Sequence, residues 1–160
     1  MRPMVIAFAL CLSATVALAQ GSPSQSDPHT VMVSADQVTW GAGPPSLPAG
    51  AKGAVLEGNP KEAGPFTMRL SFPDGYRIPP HSHPADERVT VIEGTLRLGM
   101  GEKFDESALN PLKAGSYIAM KPGTKHFVLA KGKTVVQING VGPWKIKYVN
   151  PADDPRKGES

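Results

Sequence analysis

Seventeen glycines and seventeen prolines cut the chain of 160 residues into short runs, and within those runs apolar side chains alternate with polar ones. Helical recurrence is nowhere sustained over a window of about eleven residues. Alternation puts successive side chains on opposite faces of an extended chain, so the runs read as half-buried β-strands and the Gly and Pro clusters as turns. The stretch PFTMRLSFP sets Phe66, Met68, Leu70 and Phe72 on one face and Thr67, Arg69 and Ser71 on the other. RVTVIEG puts Val89 and Val91 on one side in register with Glu87, and TLRLGM does the same for Leu96, Leu98 and Met100. GSYIAM, KHFVLA, TVVQIN and WKIKYV supply further runs, as do HTVMV, QVTW and GAVLEG near the N-terminus, with GAGPPSLPAG as an irregular loop. FDESALN reads as one helical turn or a loop. About nine or ten short strands at this spacing describe an all-β domain, an antiparallel sandwich or barrel around one shared interior.

Residues 1–19 read as a secretory signal. Arg2 is its positive end, the run from Val5 to Ala17 is mostly apolar, and Ala17-Leu18-Ala19 is a small-x-small cleavage site before Gln20. That run is short for a membrane span, and no later stretch is apolar enough to be one, so the cleaved chain is expected to be periplasmic or secreted, without stable membrane insertion. Cys11, the single cysteine, leaves with the signal, and Leu10 before it argues against a lipidation site. The exported chain then has no disulfide and depends on its own core, helped by a metal if it holds one. One domain is expected at 31–150, between a flexible segment at 20–30 and a mobile tail at 151–160. Loss of Arg2 lowers the formal net charge of +3 by one, too little to suggest a nucleic-acid partner. Lys113, Lys121, Lys125, Lys131, Lys133, Lys145 and Lys147 crowd the last third. Solvent-facing strand positions explain them better than an anion-binding patch, as Lys145 and Lys147 illustrate between Trp144, Ile146 and Tyr148.

The stretch GYRIPPHSHPADE carries the chemistry. On a strand His81 and His83 point the same way and can offer two imidazoles to one ion. Pro84 stops the strand, the chain turns through Ala85 and Asp86, and Glu87 opens the next strand on the side that Val89 and Val91 assign to the interior. A His-x-His pair alone also fits an exposed strand. A carboxylate facing an apolar interior, however, needs a compensating charge, and a metal held by the histidines supplies it. His126 follows the turn Pro122-Gly123-Thr124 and shares a face with Val128, which adds a third imidazole. Such a nitrogen and oxygen donor set suits one divalent transition metal ion, Mn, Fe, Co, Ni or Zn, with positions left for water or substrate. His29 stands apart.

These residues resemble the cupin family. Its first motif is G, five residues, H-x-H, three or four residues, E, six residues, G, and Gly75, His81, His83, Glu87 and Gly94 meet it in full. Its second motif is G, five residues, P-x-G, two residues, H, three residues, N. Gly115, Gly123 and His126 match it, but Lys121 stands in the proline slot and Ala130 where the family asparagine would be. The resemblance implies a single-domain jelly-roll β-barrel with His81, His83, Glu87 and His126 as metal ligands in its mouth. The two departures touch the surroundings of His126 and remove no ligand.

Cupins serve many chemistries, so the interior has to indicate function. Its expected lining, with Met68, Leu70, Val89, Met120 and Val128 as the substrate pocket, is apolar, and it offers no general base beyond Glu87. Tyr76, Arg77 and Lys121 are expected at the rim. The first reading is a metal-dependent, dioxygenase-type oxidoreductase acting on a small, partly apolar organic molecule. The second is a non-catalytic extracytoplasmic module that binds or senses metal or a small molecule, since the chain also resembles the metal-binding cupin half of some anti-sigma regulators. Partners expected are a small-molecule ligand or substrate and a second copy in a homodimer. The exported protein is expected to have the intact mass of a chain starting at Gln20; a product retaining Cys11 overturns the leader assignment.

Overall fold

In the computed structural model, which describes residues 30–158, Phe66, Met68, Leu70 and Phe72 are buried and the residues between them are not, as the alternation requires. The leader, His29 and the last two residues lie outside the described residues. Nine antiparallel strands follow among those described: β1 (Gly41–Ala42), β2 (Lys52–Glu57), β3 (Gly64–Phe72), β4 (Arg77–Ser82), β5 (Glu87–Met100), β6 (Asn110–Lys113), β7 (Tyr117–Met120), β8 (His126–Gly142) and β9 (Lys147–Tyr148). Short 3-10 turns occupy Ala35–Gln37, Glu106–Ala108, Pro151–Asp153 and Pro155–Gly158. No helix among the described residues is long and apolar enough to cross a membrane.

The strands run in the order β1-β2-β3-β8-β4-β9, and β5 pairs with β6, β7 and β8, giving the jelly-roll barrel that the motifs imply. Two long strands organise it. The first half of β8 pairs with β4 and the end of β5, from Met100↔His126 to Thr95↔Lys131, and its second half pairs with β3 and the start of β5. The pair bends where β5 shifts register between Val91 and Thr95, so the same two strands serve both walls of the roll. Gly94 sits at that bend with φ +76°, and a Cβ there would lie 2.2 Å from the Lys133 carbonyl oxygen. Only glycine fits.

The interior holds the β3 residues with Val89, Val91, Leu96, Leu98, Val128, Ala130, Val136 and Ile138. Burying each such side chain stabilises the fold by about 1.5–3 kcal/mol. The start of β8, His126 to Ala130, is buried on both faces, because Phe127 and Leu129 pack outward on Leu109 and Phe104.

Four expectations need correction. HTVMV and QVTW are not strands; residues 30–34 and 38–40 are irregular, Val31 and Met32 are exposed, and only β1 pairs with β2. Alternation without a sheet edge to join does not make a strand. Met100, expected inside, ends β5 and is half-exposed. FDESALN does hold one turn, at Glu106–Ala108, but its last residue, Asn110, already opens β6, which pairs only with β5 and so tolerates Pro111. Of WKIKYV, only Lys147 and Tyr148 form strand.

Gly94→Ala is expected to lower unfolding free energy by about 1–3 kcal/mol through backbone strain, before any cost of the contact with Lys133. Urea denaturation measures this, and an unchanged midpoint would show that β5 need not bend there.

Candidate metal centre

Gly75, with φ +73°, turns the chain into β4 while its N–H donates to the Ala130 carbonyl (3.0 Å). That contact ties the first histidine segment to the strand bearing His126. In the ladder His81 then pairs directly with His126. Past Pro84 the chain crosses to β5, where Glu87 is the first residue. The Gly123 N–H donates to the His83 carbonyl (2.8 Å), so the turn of the second motif also fixes the end of the first. His81, His83, Glu87 and His126 are thereby brought together, all buried.

The donor atoms of His81, His83 and His126 lie within 4.8 Å of one another. Glu87 joins off-centre, with Oε2 3.3 Å from His126 Nε2 and 3.6 Å from His83 Nε2. Each imidazole is oriented by a backbone carbonyl. Nδ1–H donates to Pro79 O from His81 (2.7 Å), to Lys145 O from His83 (2.8 Å) and to Thr124 O from His126 (3.1 Å). A carbonyl can only accept, so each Nδ1 holds a proton, and a ring in its neutral form keeps its Nε2 lone pair free. Burial holds His81 well below the usual imidazole range, with His126 and His83 acting in the same sense. Burial also lowers His83, against the opposing effects of Glu87 and the Lys145 carbonyl. Burial of His83 therefore works against an ordinary ion pair with Glu87.

A carboxylate oxygen facing imidazole lone pairs has nothing to bind. His83 Nε2 and Glu87 Oε2 are indeed buried without a hydrogen-bond partner, an arrangement that is costly on its own. Two donors held about 2.1 Å from one ion stand roughly 3–3.5 Å apart, the separation that Glu87 keeps from His126. The donor set, its tautomers and its orphaned atoms all fit one transition metal ion, with the three carbonyls as outer partners.

The cluster opens on a cavity of about 70 Å³ inside the barrel, lined by Met68, Leu70, Val89, Met120 and Val128, as expected, among other apolar side chains. Ala130 is buried in the apolar core on the face of Val128, yet it does not line the cavity. The missing asparagine therefore changes the core beneath the site rather than its wall. Arg77 and Lys121 are at the surface, Arg77 paired with Glu106 and Lys121 with Asp86 (3.3 Å). Tyr76 is not a rim residue: it is buried, and its hydroxyl donates to the Pro48 carbonyl.

Part of the wall lay beyond the sequence reading. Trp144 stacks on His83 (4.3 Å between centroids, 16° between planes) and meets Phe66 edge-on at 5.6 Å. Trp144 and Ile146 line the cavity, as do Pro44, Ser46 and Leu47 from the irregular loop. The alternation of Trp144, Ile146 and Tyr148 was a usable signal for the former. Nothing periodic marks the loop.

In chelator-treated protein, Glu87→Gln is expected to raise unfolding free energy by about 1–3 kcal/mol, because a neutral amide can donate to an Nε2 that otherwise has no partner. With metal the sign reverses: the wild type gains about 2.7 kcal/mol at a hundredfold excess over its dissociation constant, and the variant gains less. His81→Ala and His126→Ala should both lose bound metal. Unchanged metal content in these variants would remove the centre.

Residues 30–156 match the family described as Domain of unknown function (DUF4437). Germin-like protein subfamily 2 member 1 of Arabidopsis thaliana is 32% identical over 104 residues, 60% of this chain and 48% of that protein, so the chain spans about half the length of the curated relative it matches. Among solved structures, the polyketide cyclase RemF from Streptomyces resistomycificus has a TM-score of 0.63 at 17% identity, over 79% of this chain and 89% of that one. An assigned acetylacetone dioxygenase from Methylibium petroleiphilum PM1 has a TM-score of 0.61 at 20% identity, over 82% and 88%. An RmlC-like cupin from Shewanella frigidimarina has a TM-score of 0.53 at 15% identity, over 68% and 87%. At these identities the structures bear on the fold alone. The chain belongs to the DUF4437 family, on a cupin barrel.

Proposed function

We propose that the protein is an exported, metal-dependent oxidoreductase of dioxygenase type that acts on a small, partly apolar organic molecule. The observation that carries this reading is the pair of orphaned donors, Glu87 Oε2 and His83 Nε2, set in an apolar cavity. His81, His83, His126 and Glu87 would hold a divalent transition metal ion, Mn, Fe, Co, Ni or Zn. Such an ion, when bound, supplies Lewis acidity and a template for oxygen ligands.

The chain's own residues do the rest. The apolar lining excludes water and favours a ligand with apolar bulk, at about 25 cal/mol per Å² buried. A sugar hydroxyl in the same place would lose its hydrogen bonds. Glu87 is the one carboxylate lining the cavity and hence the candidate to accept a proton from a bound acid.

A specific observation also favours the non-catalytic reading. Among the described residues, no titratable side chain lines the cavity apart from His81, His83, Glu87 and His126. If the metal does not turn substrate over, nothing else there will, and the protein would be an extracytoplasmic binding module.

Oxygen uptake by metal-loaded protein separates the two. Branched or aromatic dicarbonyls and phenolic acids are expected to bind better than oxalate or hexose phosphates, and at least one should drive oxygen consumption that His126→Ala abolishes. Binding without uptake supports the binding module, whereas tighter binding of the polar set contradicts the apolar-substrate reading.

A further inference from the structure

The loop between β1 and β2 is an unusual wall for a cavity. Its prolines, Pro44, Pro45 and Pro48, lack the N–H needed to join the sheet. Its backbone bonds are few: Gly43 N–H donates to Ala51 O, and Leu47 N–H to Pro44 O. Yet Pro44, Ser46 and Leu47 line the cavity against the metal cluster.

Two tyrosines hold it. The Tyr148 hydroxyl donates to Ser46 O (2.8 Å) and the Tyr76 hydroxyl to Pro48 O, so carbonyls on either side of Leu47 are both taken. Both rings are buried, at 5% and 6% exposure, so the bond to each carbonyl is made largely out of reach of water. Neither tyrosine is remote from the site. Tyr148 is the ladder partner of His81 across β4 and β9, with ring centroids 6.0 Å apart. Tyr76 stacks on Phe72 (4.9 Å, 8°) immediately before β4, the strand that carries His81.

We propose that Tyr76 and Tyr148 are positioning residues that latch residues 44–48 across the cavity, and that Leu47, held between them, sets the upper size limit of the ligand. Latch and metal ligand share a strand pair, so the wall keeps a fixed distance from the cluster. The size limit rests on the reading that the ligand binds in this cavity; the latch does not.

The chain has two tryptophans, and Trp40→Phe leaves Trp144, which lines the same cavity, as sole reporter. In metal-free Trp40→Phe protein, acrylamide quenching of Trp144 is expected to rise at least threefold on adding Tyr148→Phe or Leu47→Ala, with melting temperature within a few degrees of the parent. Unchanged quenching in both overturns the latch, whatever the metal does. In zinc-loaded protein, acetohydroxamate, benzohydroxamate and naphthohydroxamate present one chelating head with growing apolar bulk. The wild type should bind acetohydroxamate and benzohydroxamate and discriminate against naphthohydroxamate. Leu47→Ala should raise the affinity for naphthohydroxamate relative to acetohydroxamate at least tenfold, and Tyr148→Phe should shift it the same way, with zinc content unchanged. An unaltered size profile overturns the role of Leu47. If no hydroxamate binds the wild type, the functional reading and the size limit fall together, while the quenching result still decides the latch.

Discussion

Strand β8 is the constraint on which the other elements depend. It pairs with β3, β4 and β5 along its length, is buried on both faces from His126 to Ala130 and opens on His126. The pairing of His126 with both His81 and Met100 fixes where the histidine segment of β4 lies relative to β5, and so where Glu87 enters. An error of one residue in this register would turn His126 outward and Phe127 inward. Phe127 resists the slip, because its place is already taken up by packing against Phe104. Apolar packing outside the barrel thus protects the polar chemistry inside it.

The cluster itself has a conflict built into it. Backbone carbonyls place a proton on each Nδ1, and His83 Nε2 and Glu87 Oε2 are left buried side by side without a hydrogen-bond partner. Stability is spent to keep the donors convergent, the pattern expected where a site serves a cation rather than the fold. Folding need not depend on an ion, since the apolar core is built from side chains outside the cluster.

Much of this was legible in residue order, and the exceptions have physical reasons. The spacing from Gly75 to Gly94 and the register of Glu87 with Val89 and Val91 depend only on strand geometry, which is local. The alternation of β3 was readable for the same reason. The continuity of β5 through Gly94 and of β8 through Gly132 was not, because a glycine with positive φ looks alike in a turn and in a bend. The face of Ala130 could be inferred from His126 and Val128. Its depth along the barrel could not, since that depends on how strands tilt against one another. The cavity-lining role of Pro44, Ser46 and Leu47 escaped entirely: their loop is held by bonds to side chains 28 and 102 positions away, Tyr76 on Pro48 and Tyr148 on Ser46.

The ligand histidines and Glu87 sit on or beside long strands whose hydrogen bonds are shared with neighbours, whereas the outer wall comes from a proline-rich loop attached by two hydroxyls. Change is therefore cheap in one place and expensive in the other. Substitutions in residues 44–48 can reshape what the cavity admits without disturbing a single ladder bond, while substitutions among the donors cannot be absorbed. A lineage built on this barrel could diversify its ligands through that loop while its inorganic chemistry stayed the same.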